Sequence, residues 1–139
     1  MIILDTNVVS ELLRARRDAT VVAWISARPP RAFHTTSVTQ AEMLLGAALL
    51  PPGKRRDGLQ LSIGNLFAQD FESRVLPFDH SAAPAYAAVT AARRAAGRPI
   101  SILDAQIAAI CVATRAQLAT HNIADFEGCG IDLINPWAA

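Results

Sequence analysis

The stretch MIILDTNVVSELL, residues 1–13, sets a carboxylate, a hydroxyl and an amide between two apolar segments. Ile2, Ile3 and Leu4 carry no polar side chain among them. Such a run reads as a short strand covered on both faces, the pattern of a parallel sheet. Apolar residues resume at Val8 and Val9 and continue to Leu12 and Leu13 along a first helix. Asp5 or Asn7 can cap a helix that begins near Val8 by accepting from its free N–H groups. A cap takes one residue, however, and Asp5, Thr6 and Asn7 stand in a row.

Outward from this stretch, AFHT (32–35), VLP (75–77), QLAT (117–120) and DLIN (132–135) share its strand character. Helical periodicity fills the intervals. It runs through Val21, Val22, Trp24 and Ile25, then through Met43, Leu44, Ala47, Ala48 and Leu50. Leu59, Ile63, Leu66 and Phe67 mark another helix, and Ile102, Ala105, Ile107 and Ala109 to Val112 a last one. Gly97 ahead of Pro99 reads as a helix stop, and PPGKRRDG (51–58) as a loop. Strands alternating with helices imply an α/β fold, a parallel sheet with helices on both faces. Ligand sites in such folds lie beyond the carboxyl ends of the strands, where strand order reverses. Asp5 follows the first strand directly, and Glu42 lies in the first turns of the helix after the second. Asp104 falls in the first turn of the helix near Ser101, and Asp125 five residues after QLAT. All four acids are expected to project toward one edge of the sheet.

At 139 residues the chain is expected to form one domain, 1–139, with a substantial core. Its hydrophobic fraction of 52% is inflated by alanine, in runs such as AAPAYAAVTAARRAAG that favour helix. No apolar run approaches the ~20 residues of a membrane helix. The opening meets Asp5 too soon for a signal peptide. Cys111 and Cys129 have no metal or redox spacing, and Cys111, within IAAICVA, reads as a small core residue. The expectation is a cytoplasmic protein without disulfides and without a membrane association.

Each acid has an ordinary structural reading. Ser101 with Asp104, and Thr39 with Glu42, resemble capping boxes, and Asp125 can cap the turn NIADFEG. Jointly, carboxylates at one edge repel one another, and a divalent cation resolves that conflict. Oxygen donors of this kind suit Mg²⁺ or Mn²⁺ together with substrate phosphate. His34 reads as a structural strand residue and His80 as a surface residue at a helix start. His121 is the one histidine near the acids and a candidate substrate contact. The 13 basic residues against 12 acidic ones leave +1. That near balance argues against a purely electrostatic nucleic-acid binder. With four of the 12 acids in one site, however, eight remain against 13, so the rest of the surface carries +5. A positive surface around an acidic centre suits a polyanion. Lys54, Arg55 and Arg56 are candidates to touch it, although so short a charge run also fits a solvated loop.

Four ordered blocks, LDTNVVSELL, TTSVTQAEMLLG, GRPISILDAQIAAI and THNIADFEGCGIDLINPW, give the chain a resemblance to PIN-domain ribonucleases. Within that family it resembles the VapC toxins of type II toxin–antitoxin modules, in the branch that includes FitB-like proteins. The resemblance implies a central parallel sheet in the order 3-2-1-4-5. It also implies Mg²⁺- or Mn²⁺-dependent RNA cleavage leaving 5′-phosphate and 3′-hydroxyl ends. Asp5, Glu42 and Asp104 match the family's three acidic ligands, and Asp125 the fourth acidic position. Thr6 and Asn7 match the polar pair that supports the first Asp, and Asn122 is a further polar residue of the last block. The partners implied are RNA, a second copy of the chain, and a VapB-type antitoxin that contacts operator DNA and inhibits the toxin.

Two other functions compete. One is a non-catalytic PIN domain that serves an antitoxin on operator DNA. The other is a phosphotransferase with Asp5 as nucleophile. Enzymes of that second type show D-x-D-x-T, whereas Asn7 stands here at the second Asp. The apolar residues Val9, Leu12, Leu13, Val21, Val22 and Trp24 exceed what one sheet face needs and are expected to leave an interaction surface.

Overall fold

Ile2–Leu4 form β1, the central strand of a five-stranded sheet in the order β3-β2-β1-β4-β5. The computed structural model describes residues 1–139. The other strands, β2 (Phe33–Thr36), β3 (Val75–Leu76), β4 (Gln117–Ala119) and β5 (Leu133–Ile134), all pair in parallel. This is the strand order the family resemblance implied. β1 pairs β2 with Ile3 opposite His34, and β4 with Leu4 opposite Ala119. The order therefore reverses at β1, whose carboxyl end is Asp5. Strand ends shift from the sequence expectation for local reasons. Ala32 belongs to a 3₁₀ turn that Pro30 opens, and Pro77 has no N–H to extend β3.

The helices are α1 (Thr6–Leu12), α2 (Ala19–Ser26), α3 (Ser37–Ala48) and α4 (Lys54–Asn65), then α5 (Ala83–Ala95), α6 (Ile102–Thr114) and α7 (Ile123–Phe126). α1 starts two residues earlier than expected, because Asp5 caps it and accepts from Thr6 N–H at 2.8 Å. α3 is capped by Thr36, which accepts from Thr39 N–H at 3.1 Å. Thr39 is thus not a cap, and Glu42 is released from the capping role its spacing offered. Ser101 does cap α6, accepting from Asp104 N–H at 3.2 Å. The loop expected at 51–58 ends at Gly53, and Lys54 opens α4. Lys, Arg and Gln are good helix formers, and Leu59, Ile63 and Leu66 pack this helix on the core, which outweighs the charge of its first turn. After α5 the chain turns at Gly97, whose φ of 71° is the left-handed conformation a helix stop needs.

Alternation along β1 divides the core. Ile2 and Leu4 pack with Val8, Val9, Trp24, Phe33, Met43, Ile63, Leu66 and Phe67 on one face. Ile3 packs with Ile107, Ile110, Cys111, Leu118 and Phe126 on the other. Cys111 is a core residue, and burial pushes its thiol up to about 12. The apolar surplus on α1 and α2 is mostly absorbed. Val9, Val21 and Trp24 are buried, Leu12 and Leu13 pack against the core, and of the six residues expected on the surface only Val22 is exposed. Two helices were too few to count, because α4 folds over the same sheet face. The large exposed apolar side chains are instead mainly on α3 and α6: Leu44, Leu45, Leu49, Ile102 and Leu103. No helix is long and apolar enough to cross a membrane.

Candidate metal centre

Asp5 is 4% exposed and sits where β1 meets α1, its N–H donating to Ala119 of β4 at 2.9 Å. Its carboxylate is held at both oxygens. Oδ1 accepts from Thr6 N–H, and Oδ2 accepts from the Thr120 hydroxyl at 2.8 Å and the Asn7 amide at 3.1 Å. Asn7 reaches the segment just after β4 as well, its Oδ1 accepting from His121 N–H at 3.0 Å. Thr6 faces the other way and donates to Glu42 Oε1 at 2.9 Å, with the Thr39 hydroxyl 3.1 Å behind it. The Thr6 proton is then committed to Glu42, so Thr39 donates to Thr6. The three polar residues of the opening thus do three different things: Asp5 caps α1 and faces the edge, Thr6 ties it to α3, and Asn7 ties it to the segment that follows β4.

Asp104 enters from the first turn of α6, and Asp125 from α7. Burial raises the Asp5 carboxyl above the ordinary value, against the hydrogen bonds from Thr120 and Thr6, and the Glu42 charge adds to the rise. Burial likewise raises Asp104, with Asp5 and Asp125 adding to it, while Ser101 and Arg93 pull it down. Asp5 therefore feels the charge of Glu42, and Asp104 feels that of Asp5 and Asp125, although they come from separate parts of the chain. None is paired with a cation, since the molecule's two ion pairs join Arg14 to Glu11 and Arg98 to Glu127. No three acidic, histidine or cysteine side chains close into a ligand set. Asp5 and Glu42 are hydrogen-bonded to their own surroundings, and like charges stay apart. A cleft of about 410 Å³ between α3 and α6 has Glu42 in its wall, with Leu45, Phe78 and Leu103. A larger groove of about 760 Å³ runs between α1, α2 and α4 past Leu12, Leu13 and Ile25 and holds none of the four acids.

Asn122 is exposed and joins the same edge through its backbone, its N–H donating to the Thr120 hydroxyl at 3.1 Å. Lys54, Arg55 and Arg56 are not brought there. α3 starts at the carboxyl edge and its 12 residues carry the chain about 18 Å away before α4 begins.

Two supports had no sequence signal. Thr120 reads as the last residue of a strand, yet it supplies the shortest side-chain donor to Asp5. Arg93 reads as one of the basic residues of AARRAAG, yet its guanidinium is buried at 6% exposure. It donates to the carbonyls of Arg98 at 2.6 Å and of Asp125 and Glu127 at 2.8 Å each. This clamp fixes α7, and with it Asp125, against α5. Arg93→Ala leaves three partly buried carbonyls without their donors and opens a gap where the buried side chain stood, and is expected to cost about 2–4 kcal/mol. Urea unfolding at unchanged m-value reads the loss. A shift below about 0.5 kcal/mol would mean that α7 is held by its apolar contacts alone.

The PIN-domain family profile matches residues 2–127. The chain is 41% identical over 137 residues to the VapC ribonuclease Y4jK of Sinorhizobium fredii, covering 99% of this chain and 98% of that one. It is 34% identical to the toxin FitB of Neisseria gonorrhoeae, with 99% of each covered. The structure of FitAB bound to an IR36 DNA fragment superposes with a TM-score of 0.91 at 35% identity, covering 99% of this chain and 96% of that one. Sheet order, the acid-bearing edge and full-length similarity agree: the chain belongs to the PIN-domain family, among its VapC and FitB toxins.

Proposed function

We propose that this chain is a type II toxin acting in the cytoplasm as a divalent-cation-dependent endoribonuclease, held inactive by a cognate VapB-type antitoxin. The observation that supports this reading is that Asp5 feels the charge of Glu42, and Asp104 that of Asp5 and Asp125, with no Lys or Arg ion-paired to any of them. The donor set is all oxygen, and burial and mutual repulsion raise two of its members, so the residues fit Mg²⁺ or Mn²⁺. Asp5, Glu42 and Asp104, with Asp125, would hold the ion. When bound, such a cation supplies Lewis acidity, which lowers the pKa of water and offsets charge developing on phosphate.

The chain's own part is positioning. Thr120 and Asn7 orient Asp5, and Thr6 and Thr39 orient Glu42, so the carboxylates do not need to reorganise as charge builds up. One of these carboxylates, Asp104 or Asp125, also accepts the proton of the attacking water. His121 stands beside this edge as a substrate contact. Lys54, Arg55 and Arg56 serve at most as distant phosphate contacts. The DNA-bound FitAB complex supports an antitoxin partner, with operator DNA reached through that partner. The exposed leucines of α3 and Ile102 and Leu103 of α6 support a homodimer.

Incubation of purified protein with total RNA tests the activity. Cleavage is expected with millimolar Mg²⁺ or Mn²⁺, an order-of-magnitude choice for sites that keep several waters on the ion, and none with EDTA. RNA left intact under all these conditions would favour the non-catalytic antitoxin partner instead.

A further inference from the structure

His121 and Trp137 stack ring on ring beside the acidic edge, their centroids 4.3 Å apart and their planes 16° from parallel. Both are anchored from behind. Trp137 lies in the 3₁₀ turn Pro136–Ala138, its N–H donating to Asn135 Oδ1 at 3.0 Å, and its ring packs against the core cluster of β1 and α1. His121 N–H donates to Asn7 Oδ1, and the neighbouring Thr120 donates to Asp5. His121 is exposed and Trp137 only partly so. One imidazole face therefore rests on the indole, and the other meets solvent. Consecutive Cα atoms lie about 3.8 Å apart, so this open face stands one residue from the side chain that holds Asp5.

The other aromatic pairs offer no such surface. Trp24–Phe33 and Phe67–Phe71 are core contacts, and Phe78–Tyr86 packs against the second cluster. Single-stranded RNA is recognised largely by stacking its splayed bases on aromatic rings, histidine among them. A histidine that served only to cover Trp137 would need neither the parallel geometry nor a backbone fixed to the residue that orients Asp5. We infer that His121, backed by Trp137, is a stacking platform for a nucleobase of single-stranded RNA next to the bond cleaved. This rests on the nuclease reading and adds to it the residue pair that grips the base.

The test is fluorescence anisotropy in EDTA with two labelled probes, a twelve-nucleotide oligoadenylate and an abasic ribose-phosphate chain of equal length. The wild-type chain is expected to bind oligoadenylate about tenfold more tightly than the abasic chain. His121→Ala is expected to bring that ratio close to one, and His121→Phe to restore most of it. A wild-type ratio near one, or a ratio unchanged in His121→Ala, overturns the platform. A His121→Ala protein that loses antitoxin binding but keeps the ratio also overturns it, because the ring then serves a protein partner. Cleavage of total RNA with Mg²⁺, assayed in parallel, separates the two levels. Cleavage with a ratio near one removes the platform alone. No cleavage with a tenfold ratio removes the nuclease reading and leaves the platform standing.

Discussion

Replacing Asp104 by Asn is expected to slow RNA cleavage about 1000-fold or more, roughly 4 kcal/mol of barrier, while the protein melts at or above the wild-type temperature in EDTA. Asn keeps the shape of the side chain and removes the charge that would hold a cation. The Asp104 carboxyl is raised by burial and by Asp5 and Asp125, so its ionised form is disfavoured in the folded state. A carboxyl raised on folding contributes stability below its ordinary value of 3.8, and that contribution is lost as pH rises through the folded value. Asn does not ionise. The stability of Asp104→Asn relative to wild type should therefore grow across that window and level off above it. Thermal melts in EDTA from acid to neutral pH read this directly.

Asp5 behaves differently although it is raised for the same first reason. Its two oxygens accept from Thr6, Thr120 and Asn7, and an amide offers one oxygen where the carboxylate offered two. Asp5→Asn is expected to be as inactive as Asp104→Asn but less stable than wild type by about 1–2 kcal/mol. Glu42→Gln can still accept from Thr6 and should fold normally while losing activity. A variant of Asp5, Glu42 or Asp104 that melts far below wild type yet still cleaves RNA would show that the acid is only a structural cap.

A cognate antitoxin at saturation is expected to suppress RNA cleavage by at least about 100-fold, with a hetero-oligomer replacing a homodimer in light scattering. The mechanism is electrostatic. Carboxylates without a paired cation are a ready partner for a Lys or Arg side chain, and charge-assisted hydrogen bonds to such a group are strong. A basic side chain on Asp5 and Asp104 would occupy the same charge as a divalent ion. The two should then be linked reciprocally, so excess Mn²⁺ should weaken antitoxin binding by the factor that antitoxin weakens Mn²⁺ binding. The cleft between α3 and α6 that Glu42 lines offers an approach to these acids. Full nuclease activity in a saturated complex would sink the inhibition, and a strict monomer at roughly tens of micromolar would sink the dimer.

The alternation of apolar strands and amphipathic helices was legible because period and polarity are local properties. IIL reads as a strand buried on both faces, and the resemblance carried by four blocks supplied the strand order now observed. Helix starts were harder. Thr39 and Glu42 have the spacing of a capping box, but Thr36 stands one turn earlier and is already at the end of β2, so it takes the cap. The charges of residues 54–58 looked like a loop because helix formation there depends on Leu59, Ile63 and Leu66 meeting the sheet. That contact is tertiary.

By itself the sequence determined that this is an α/β protein, that Asp5 follows the central strand, and that Glu42, Asp104 and Asp125 fall in the opening turns of later helices. It determined these because each follows from short-range periodicity. Only the tertiary structure decided what holds those acids. Thr120 is 115 residues from Asp5 and Glu42 is 36 from Thr6. Arg93 reaches 32 residues to Asp125, and His121 stacks on Trp137 from another element. Locally, a threonine ending a strand or an arginine in a basic helix looks like any other. Their roles come from the folding of one sheet, which buries Asp5 away from water and leaves it dependent on donors that the rest of the chain must bring.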